Sequence, residues 1–251
     1  MGLFDKLRGA TGGTPAAQPV SLAKEQKLSL KKEEVHKISL AKASKNGAFP
    51  LKGLKARVIF ALDFSGSMRN NFNNGTVQEI LDNILPIAME FDDDSQLEMW
   101  LFDSEFRRLP NVTIGNIEDY VRREIINKKW HMGGTSYAPV MTDITRYCVE
   151  ANVKEGKMPA YVVFITDGSN ADKPATQKII KDASYNPIFW QFVGIGGESF
   201  PFLEKLDDLT DRNVDNADFF AVRDPKSITY NQLLNEFPEW LEYDKVKAML
   251  R

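Results

Sequence analysis

Two stretches of this chain are apolar at almost every position: ARVIFALD (56–63) and YVVFITD (161–167). Such runs predict strands buried on both faces. QLEMWLFD (96–103), IFWQFVGIG (188–196) and ADFFAVR (217–223) predict three more strands. Between them Val77, Ile80, Leu81, Ile84 and Leu85 recur at helical spacing, predicting a helix over 75–91. Val140, Met141, Ile144, Tyr147 and Cys148 predict another over 138–151. Further helical patterns fall at 116–126, 174–185, 200–210 and 226–248. Apolar strands alternating with amphipathic helices predict an α/β domain from residue 54 to 251, with a mostly parallel sheet wrapped on both faces.

The first fifty residues read differently. Residues 9–19, GATGGTPAAQP, have the composition of a linker. MGLFDKLRG before it could form an amphipathic turn with Leu3, Phe4 and Leu7 on one face, able to touch a membrane surface. The plainer expectation is that residues 1–19 form a flexible segment and linker. Lys6 breaks the myristoylation pattern. Residues 20–53 form a basic arm that repeats SLAK (21–24), SLKK (29–32) and SLAK (39–42). Residues 20–45 are expected as two short strands or an extended arm lying against the main domain or a partner.

Charge sharpens this division. Residues 1–55 carry 11 Lys/Arg against 4 Asp/Glu, net +7, and the remainder carries 21 against 31, net −10. Opposite charges predict an arm docked on the body, with an attraction that weakens as salt rises. An acidic body excludes nucleic acid as the main partner. A single cysteine, Cys148, excludes an intrachain disulfide and suits a reducing, cytoplasmic setting. No apolar run reaches the length of a membrane span.

The candidate chemistry lies at strand ends. Two strands finish in aspartate followed by glycine or serine, FALD-FSGS and VFIT-DGS. In open parallel sheets, ligands bind beyond the carboxyl ends of strands. If the two strands are neighbours, Asp63 and Asp167 share a crevice. Ser65 and Ser67 add two neutral oxygens, with Gly66 letting the loop curl. HMGGTSYAP (131–139) offers Thr135 just before a helix. Two carboxylates and three hydroxyls form an all-oxygen set suited to a hard divalent ion, chiefly Mg²⁺, with Mn²⁺ or Ca²⁺ as alternatives. The bland alternative is that Ser65 and Ser67 only cap a helix.

These residues resemble a known family. DFSGS matches the D-x-S-x-S of the metal-ion-dependent adhesion site (MIDAS) of von Willebrand factor A (vWA) domains. GGTSYAP resembles that family's threonine loop and ITDG its second aspartate. The resemblance covers about 54–240. It implies a Rossmann-like, doubly wound, six-stranded sheet with helices on both faces. It also implies a metal held by Asp63, Ser65, Ser67, Thr135 and Asp167. Ser65, Ser67 and Thr135 would touch the ion directly, and the aspartates would often act through water. The finer resemblance is to the TerF-like vWA proteins of bacterial tellurium-resistance clusters. VSLAKEQKLSLKKEE resembles the opening of a TerD-type domain, without its acidic calcium-binding stretches. Together these imply a metal-dependent binding module for an acidic residue of a protein partner, possibly another Ter protein, in tellurite and stress resistance.

An enzyme is the competing class: a Mg²⁺-dependent hydrolase or phosphotransferase using the Asp63/Asp167 crevice. The sequence lacks G-x-S-x-G and a P-loop. A dehalogenase-type phosphotransferase needs a second aspartate where Ser65 stands. The expectation is therefore no catalysis. His36 is expected to be solvated and His131 to sit on an exposed loop. Trp100, Trp190 and Cys148 are expected in the core. Trp130 is either an exposed partner-binding aromatic or packing beneath its loop. FDDDS (91–95) reads as a helix end and turn, and GIGG (194–197) as a tight turn.

Overall fold

The computed structural model describes residues 20–45, 55–92, 94–168 and 170–251. Residues 1–19 and 46–54 lie outside it, so the expected N-terminal segment and linker do too. Six strands form one sheet: β1 (Arg57–Asp63), β2 (Leu97–Phe102), β3 (Phe106–Val112), β4 (Ala160–Thr166), β5 (Ile188–Ile195) and β6 (Ala217–Val222). Their order is β3-β2-β1-β4-β5-β6. All neighbours are parallel except β2 and β3.

Five strands match the apolar runs. The sixth, β3, reads FRRLPNV and has no such run, because it is an antiparallel edge strand with five of its seven residues exposed or half-buried. Pro110 is tolerated there because an edge strand leaves N–H positions unused.

The helices are α1 (Leu22–Lys45), α2 (Arg69–Asn73), α3 (Thr76–Phe91), α4 (Tyr120–Glu124), α5 (Ala138–Glu155), α6 (Lys173–Ala183), α7 (Pro201–Asp207), α8 (Tyr230–Leu233), α9 (Phe237–Trp240) and α10 (Asp244–Met249). Alternate residues of each central strand serve opposite layers. Val58, Phe60 and Leu62 join the core under α1, α3 and α8 to α10. Ile59 and Ala61 join the core under α5, α6 and α7. The single C-terminal helix expected over 226–248 is broken into three. Thr229 starts α8 with a capping box, Pro238 restarts the chain in α9, and Tyr243 is extended before α10. Among the described residues, no helix is long and apolar enough to cross a membrane.

The arm is the main correction: residues 22–45 form a helix, not strands or an extended segment. The SLAK repeat pointed the wrong way. Its leucines, Leu22, Leu30 and Leu40, are 77%, 66% and 38% exposed. The buried stripe is Leu28, Val35 and Ser39, at the helical spacing of three to four per turn. Polar contacts flank it. Lys24 pairs with Asp82 at 3.1 Å, Lys31 donates to Asn83 Oδ1 at 2.5 Å, and His36 Nδ1 lies 2.6 Å from Glu90 Oε1. His36 is thus partnered rather than simply solvated.

Apolar anchoring predicts that salt alone leaves α1 docked. Limited proteolysis is expected to spare residues 22–41 at low and high salt alike. Leu28→Ala is expected to cost about 2–4 kcal/mol in urea unfolding. Cleavage spreading into α1 as salt rises would restore the electrostatic arm.

Near the start of β6, oxygens of Asp207, Asp218 and Glu236 lie within 4.8 Å of one another. Burial, then the charge of Asp218, pushes Asp207 and Glu236 up to about 7. Burial likewise raises Asp92 and Glu98 to about 7. A carboxyl raised on folding favours the fold while it stays protonated. That stability is present below the unfolded value near 4 and lost as pH rises through 7. Thermal melting is therefore expected to fall between pH 5.5 and 8. Glu236→Gln, neutral at every pH, is expected to flatten that fall and raise the melting temperature at pH 8.

Candidate metal centre

β1 and β4 lie side by side, but the chain leaves them for opposite edges of the sheet. Helix α3 follows β1 onto one face and α6 follows β4 onto the other. Their departure opens a crevice beyond the carboxyl ends of the two strands, where doubly wound sheets bind ligands. Asp63 ends β1 and Asp167 directly follows β4, so both expected carboxylates reach it.

Four of the five expected residues form one hydrogen-bonded chain across this crevice. Asp63 is fully buried. Its Oδ1 accepts from the Ser65 N–H at 2.7 Å, and its Oδ2 accepts from the Thr166 hydroxyl at 2.6 Å. A 3₁₀ turn over Gly66–Met68 brings Ser67 round, placing its Oγ 3.1 Å from that of Ser65. Ser67 in turn donates to Asp167 Oδ1 at 2.8 Å. Ser65 is buried, Asp167 half-buried and Ser67 exposed, so the set opens outward from Asp63.

Thr135 arrives through the main chain. Gly66 N–H donates to the Gly133 carbonyl at 3.1 Å, and Ala171 N–H donates to the Thr135 carbonyl at 2.9 Å. The loops after β1, before α5 and after β4 are thus joined to one another. Gly66 does not curl the loop through a left-handed backbone, since the described glycines with positive φ are Gly75, Gly156 and Gly196. The 3₁₀ turn does that work. Gly133 allows a close approach: a Cβ there would lie 3.3 Å from Asp103 Cγ and Oδ2, so that side chain would have to give by a few tenths of an ångström.

Both carboxyls are raised above their ordinary range. For Asp63 burial is the main cause, opposed by the hydrogen bonds of Thr166 and Ser65, and the result is about 6. For Asp167 burial again dominates, opposed by the Ser67 hydrogen bond.

Several supporting residues escaped the sequence reading. Thr166 holds Asp63, and Tyr137 OH sits 3.1 Å from Thr166 Oγ1 and 2.7 Å from the Gly168 carbonyl. Asp103 directly follows β2 and precedes a serine, a signal the sequence carried. It does not join the candidate ligands. Its Oδ1 accepts from Glu105 N–H at 2.8 Å and its Oδ2 from Gly133 N–H at 3.3 Å, which sets the glycine loop. Asp172, at the start of α6, caps α5 instead. It accepts from Tyr137 N–H at 3.0 Å and Ala138 N–H at 2.7 Å.

The remaining candidates fall as follows. Trp100 and Trp190 are buried core. Cys148 is buried, which pushes its thiol up to about 12 and leaves it inert. His131 is exposed. Trp130 is half-buried, with the Arg107 guanidinium 5.3 Å from its ring. Phe91 ends α3 as expected. Gly196 takes a left-handed φ of 118° just after β5, the expected tight turn.

A doubly wound sheet with D-x-S-x-S after its first strand, a threonine loop before a helix and an aspartate after the fourth strand defines a vWA domain. Residues 55–250 match the family described as the vWA found in the TerF C terminus, and the chain belongs to that family. It is 42% identical over 207 residues to the uncharacterized protein YcbR of Bacillus subtilis, covering 80% of this chain and 84% of that one. Among solved structures it resembles a von Willebrand factor type A protein from Catenulispora acidiphila, with a TM-score of 0.51 and 16% identity. That match covers 78% of this chain but only 43% of the other, so the chain spans less than half of that protein. It also resembles the manganese-loaded TRAP protein of Plasmodium vivax, with a TM-score of 0.50 and 18% identity, covering 75% and 72% of the two chains.

Thr166→Val is expected to leave the buried Asp63 carboxyl one donor short and to destabilise the domain by about 1–3 kcal/mol. Urea unfolding in EDTA measures this without any ion contribution. Tyr137→Phe is expected to cost less, because Asp63 keeps its direct partner.

Proposed function

We propose that this domain is a metal-dependent protein-binding module and not an enzyme. Asp63, Ser65, Ser67, Thr135 and Asp167 would hold Mg²⁺, and an acidic side chain of a partner protein would complete its shell. One observation carries the metal reading. Ser65 Oγ and Ser67 Oγ are 3.1 Å apart, and Ser67 Oγ and Asp167 Oδ1 are 2.8 Å apart. Mg²⁺ bonds of 2.0–2.1 Å give an octahedron with edges of about 2.9 Å. A seven-coordinate Ca²⁺ shell, with bonds of 2.3–2.6 Å, has equatorial oxygens about 2.7–3.1 Å apart, so the same spacing accommodates Ca²⁺ too. Mn²⁺ suits the same hard-oxygen set, and the Plasmodium vivax relative is manganese-loaded.

The chain's own residues have separate tasks. Asp63 and Asp167 balance the ion's charge, which also favours their ionised forms against the burial that raises them. The hydroxyls fill positions without adding charge, so a bound ion stays electrophilic toward an incoming carboxylate. Thr166 and the Ser65 N–H fix the Asp63 carboxylate in orientation. Membership of the TerF-like family supports a cytoplasmic scaffold role in tellurite and related stress resistance, with other Ter proteins as candidate partners.

Calorimetric titration tests the site. Asp63→Ala is expected to weaken Mg²⁺ and Mn²⁺ binding by at least about tenfold while the fold survives. Unchanged divalent affinity in a folded variant would remove the metal assignment. Incubation with Mg²⁺ and a panel of phosphate esters, nucleotides and acyl esters is expected to give no turnover. A rate that Ser65→Ala abolishes would establish the hydrolase or phosphotransferase reading instead.

A further inference from the structure

The loop that carries Ser65 and Ser67 has a second side. Phe64, between Asp63 and Ser65, turns away from the crevice and meets Phe72 edge to face, with centroids 5.2 Å apart. These two rings, with Trp130 and Met132, wall a hollow of about 140 Å³ rimmed by Arg69 and Lys129. A larger hollow of about 520 Å³ shares Phe72, Asn73 and Ile126 with it. The same loops therefore build both the metal centre and this hollow. Phe64 and Arg69 flank the serines, and Met132 precedes Gly133, whose carbonyl accepts from Gly66.

Charge indicates the occupant. Arg69 and Lys129 are exposed, and neither forms an ion pair among the described residues. They sit on a body that is net −10 over residues 56–251. An acidic partner is repelled by most of that surface and attracted here. Lys129 has a left-handed φ of 54°, uncommon for lysine, at the turn that delivers Trp130 to the wall. Ile126, beside it, is 37% exposed although apolar. A partly open aromatic hollow with a cationic rim has the character of a pocket for a buried anchor side chain.

We propose that this hollow is a side-chain pocket that selects the partner. Its occupant is a large apolar residue, above all an aromatic one, within one or two positions of the carboxylate that seeks the metal. Further acidic residues in the same segment meet Arg69 and Lys129. This rests on the metal-dependent reading above. It adds that the recognised element is an acidic peptide segment with an aromatic anchor, rather than an isolated carboxylate.

Short labelled peptides test this by fluorescence polarisation. Each carries one aspartate flanked by glutamates, with Phe, Trp or Gly next to the aspartate on either side. In Mg²⁺, the better aromatic peptide is expected to bind at least about tenfold tighter than its glycine control, and EDTA is expected to abolish binding. The double variant Arg69→Glu with Lys129→Glu, and separately Trp130→Ala, are expected to lose most of that affinity. Their calorimetric Mg²⁺ affinity is expected to match the wild-type protein. Equal affinity for aromatic and glycine peptides would overturn the pocket, as would an aromatic preference that survives both variants. Absence of binding by every peptide would overturn it too. The Mg²⁺ titration uses no peptide, so it reports separately whether the metal reading stands. An aromatic preference unchanged in EDTA would sustain the pocket and remove the metal from recognition.

Discussion

A carboxyl group carried to complete burial at the end of β1 is the constraint around which this domain is arranged. Asp63 has no exposed surface, and burial alone would drive it toward its neutral form. The Thr166 hydroxyl and the Ser65 N–H oppose that by donating to one oxygen each. Both donors come from fixed places: the last residue of the adjacent strand and the first turn of the following loop. Moving β4 relative to β1 by one residue would place Ile165 opposite that oxygen and leave it unpaired. The register that pairs Leu62 with Ile165 thus serves the site as well as the sheet.

The loops around Asp63 extend that logic outward through backbone N–H bonds. Asp103 holds the glycine loop from one side and Ala171 holds Thr135 from the other. Asp172 secures the start of α5 by bonding the N–H groups of Tyr137 and Ala138. This use of carboxylates at a helix start offsets the positive end of the helix dipole. Two aspartates, Asp103 and Asp172, therefore act as brackets, while Asp63 and Asp167 face a shared opening. The aspartates that organise loops accept from backbone N–H groups, whereas Asp167 is met by a serine hydroxyl that can rearrange.

Much of this was legible because burial writes itself into composition. β1 and β4 are covered on both sides, so they read as unbroken apolar runs, and their final aspartates stand out against that background. What was not legible has a common cause. β3 lies at an edge with one covered side, and its arginines and Pro110 hide the alternation. Helix α1 covers the domain with a narrow stripe through Leu28 and Val35, while the louder repeat of Leu22, Leu30 and Leu40 faces solvent. A leucine repeat does not by itself say which face is buried. At 3.6 residues per turn, spacings of eight and ten keep the three leucines within about 80° of one another, so the repeat marks one helical face, and that face is the exposed one. Thr166 and Tyr137 were invisible for another reason. A threonine inside a strand and a tyrosine before a helix are ordinary occupants, and only the register of β1 against β4 turns them into supports.

The serine loop joins these themes, because its residues alternate in allegiance. Asp63, Ser65 and Ser67 project into the crevice, while Phe64 and Met68 are buried in the core on the α2 and α3 side. The candidate metal site and the proposed anchor pocket therefore adjoin through a single short segment. A displacement of Ser65 or Ser67 toward an ion would have to move Phe64 against Phe72, since the backbone between them is continuous and the rings are in contact. Packed interiors resist such shifts unless a second arrangement exists. An anchor side chain lodged against Phe64 would brace the loop while a neighbouring carboxylate engages the serine side of it. Coupling of the two then needs no distant pathway, because it is confined to five consecutive residues.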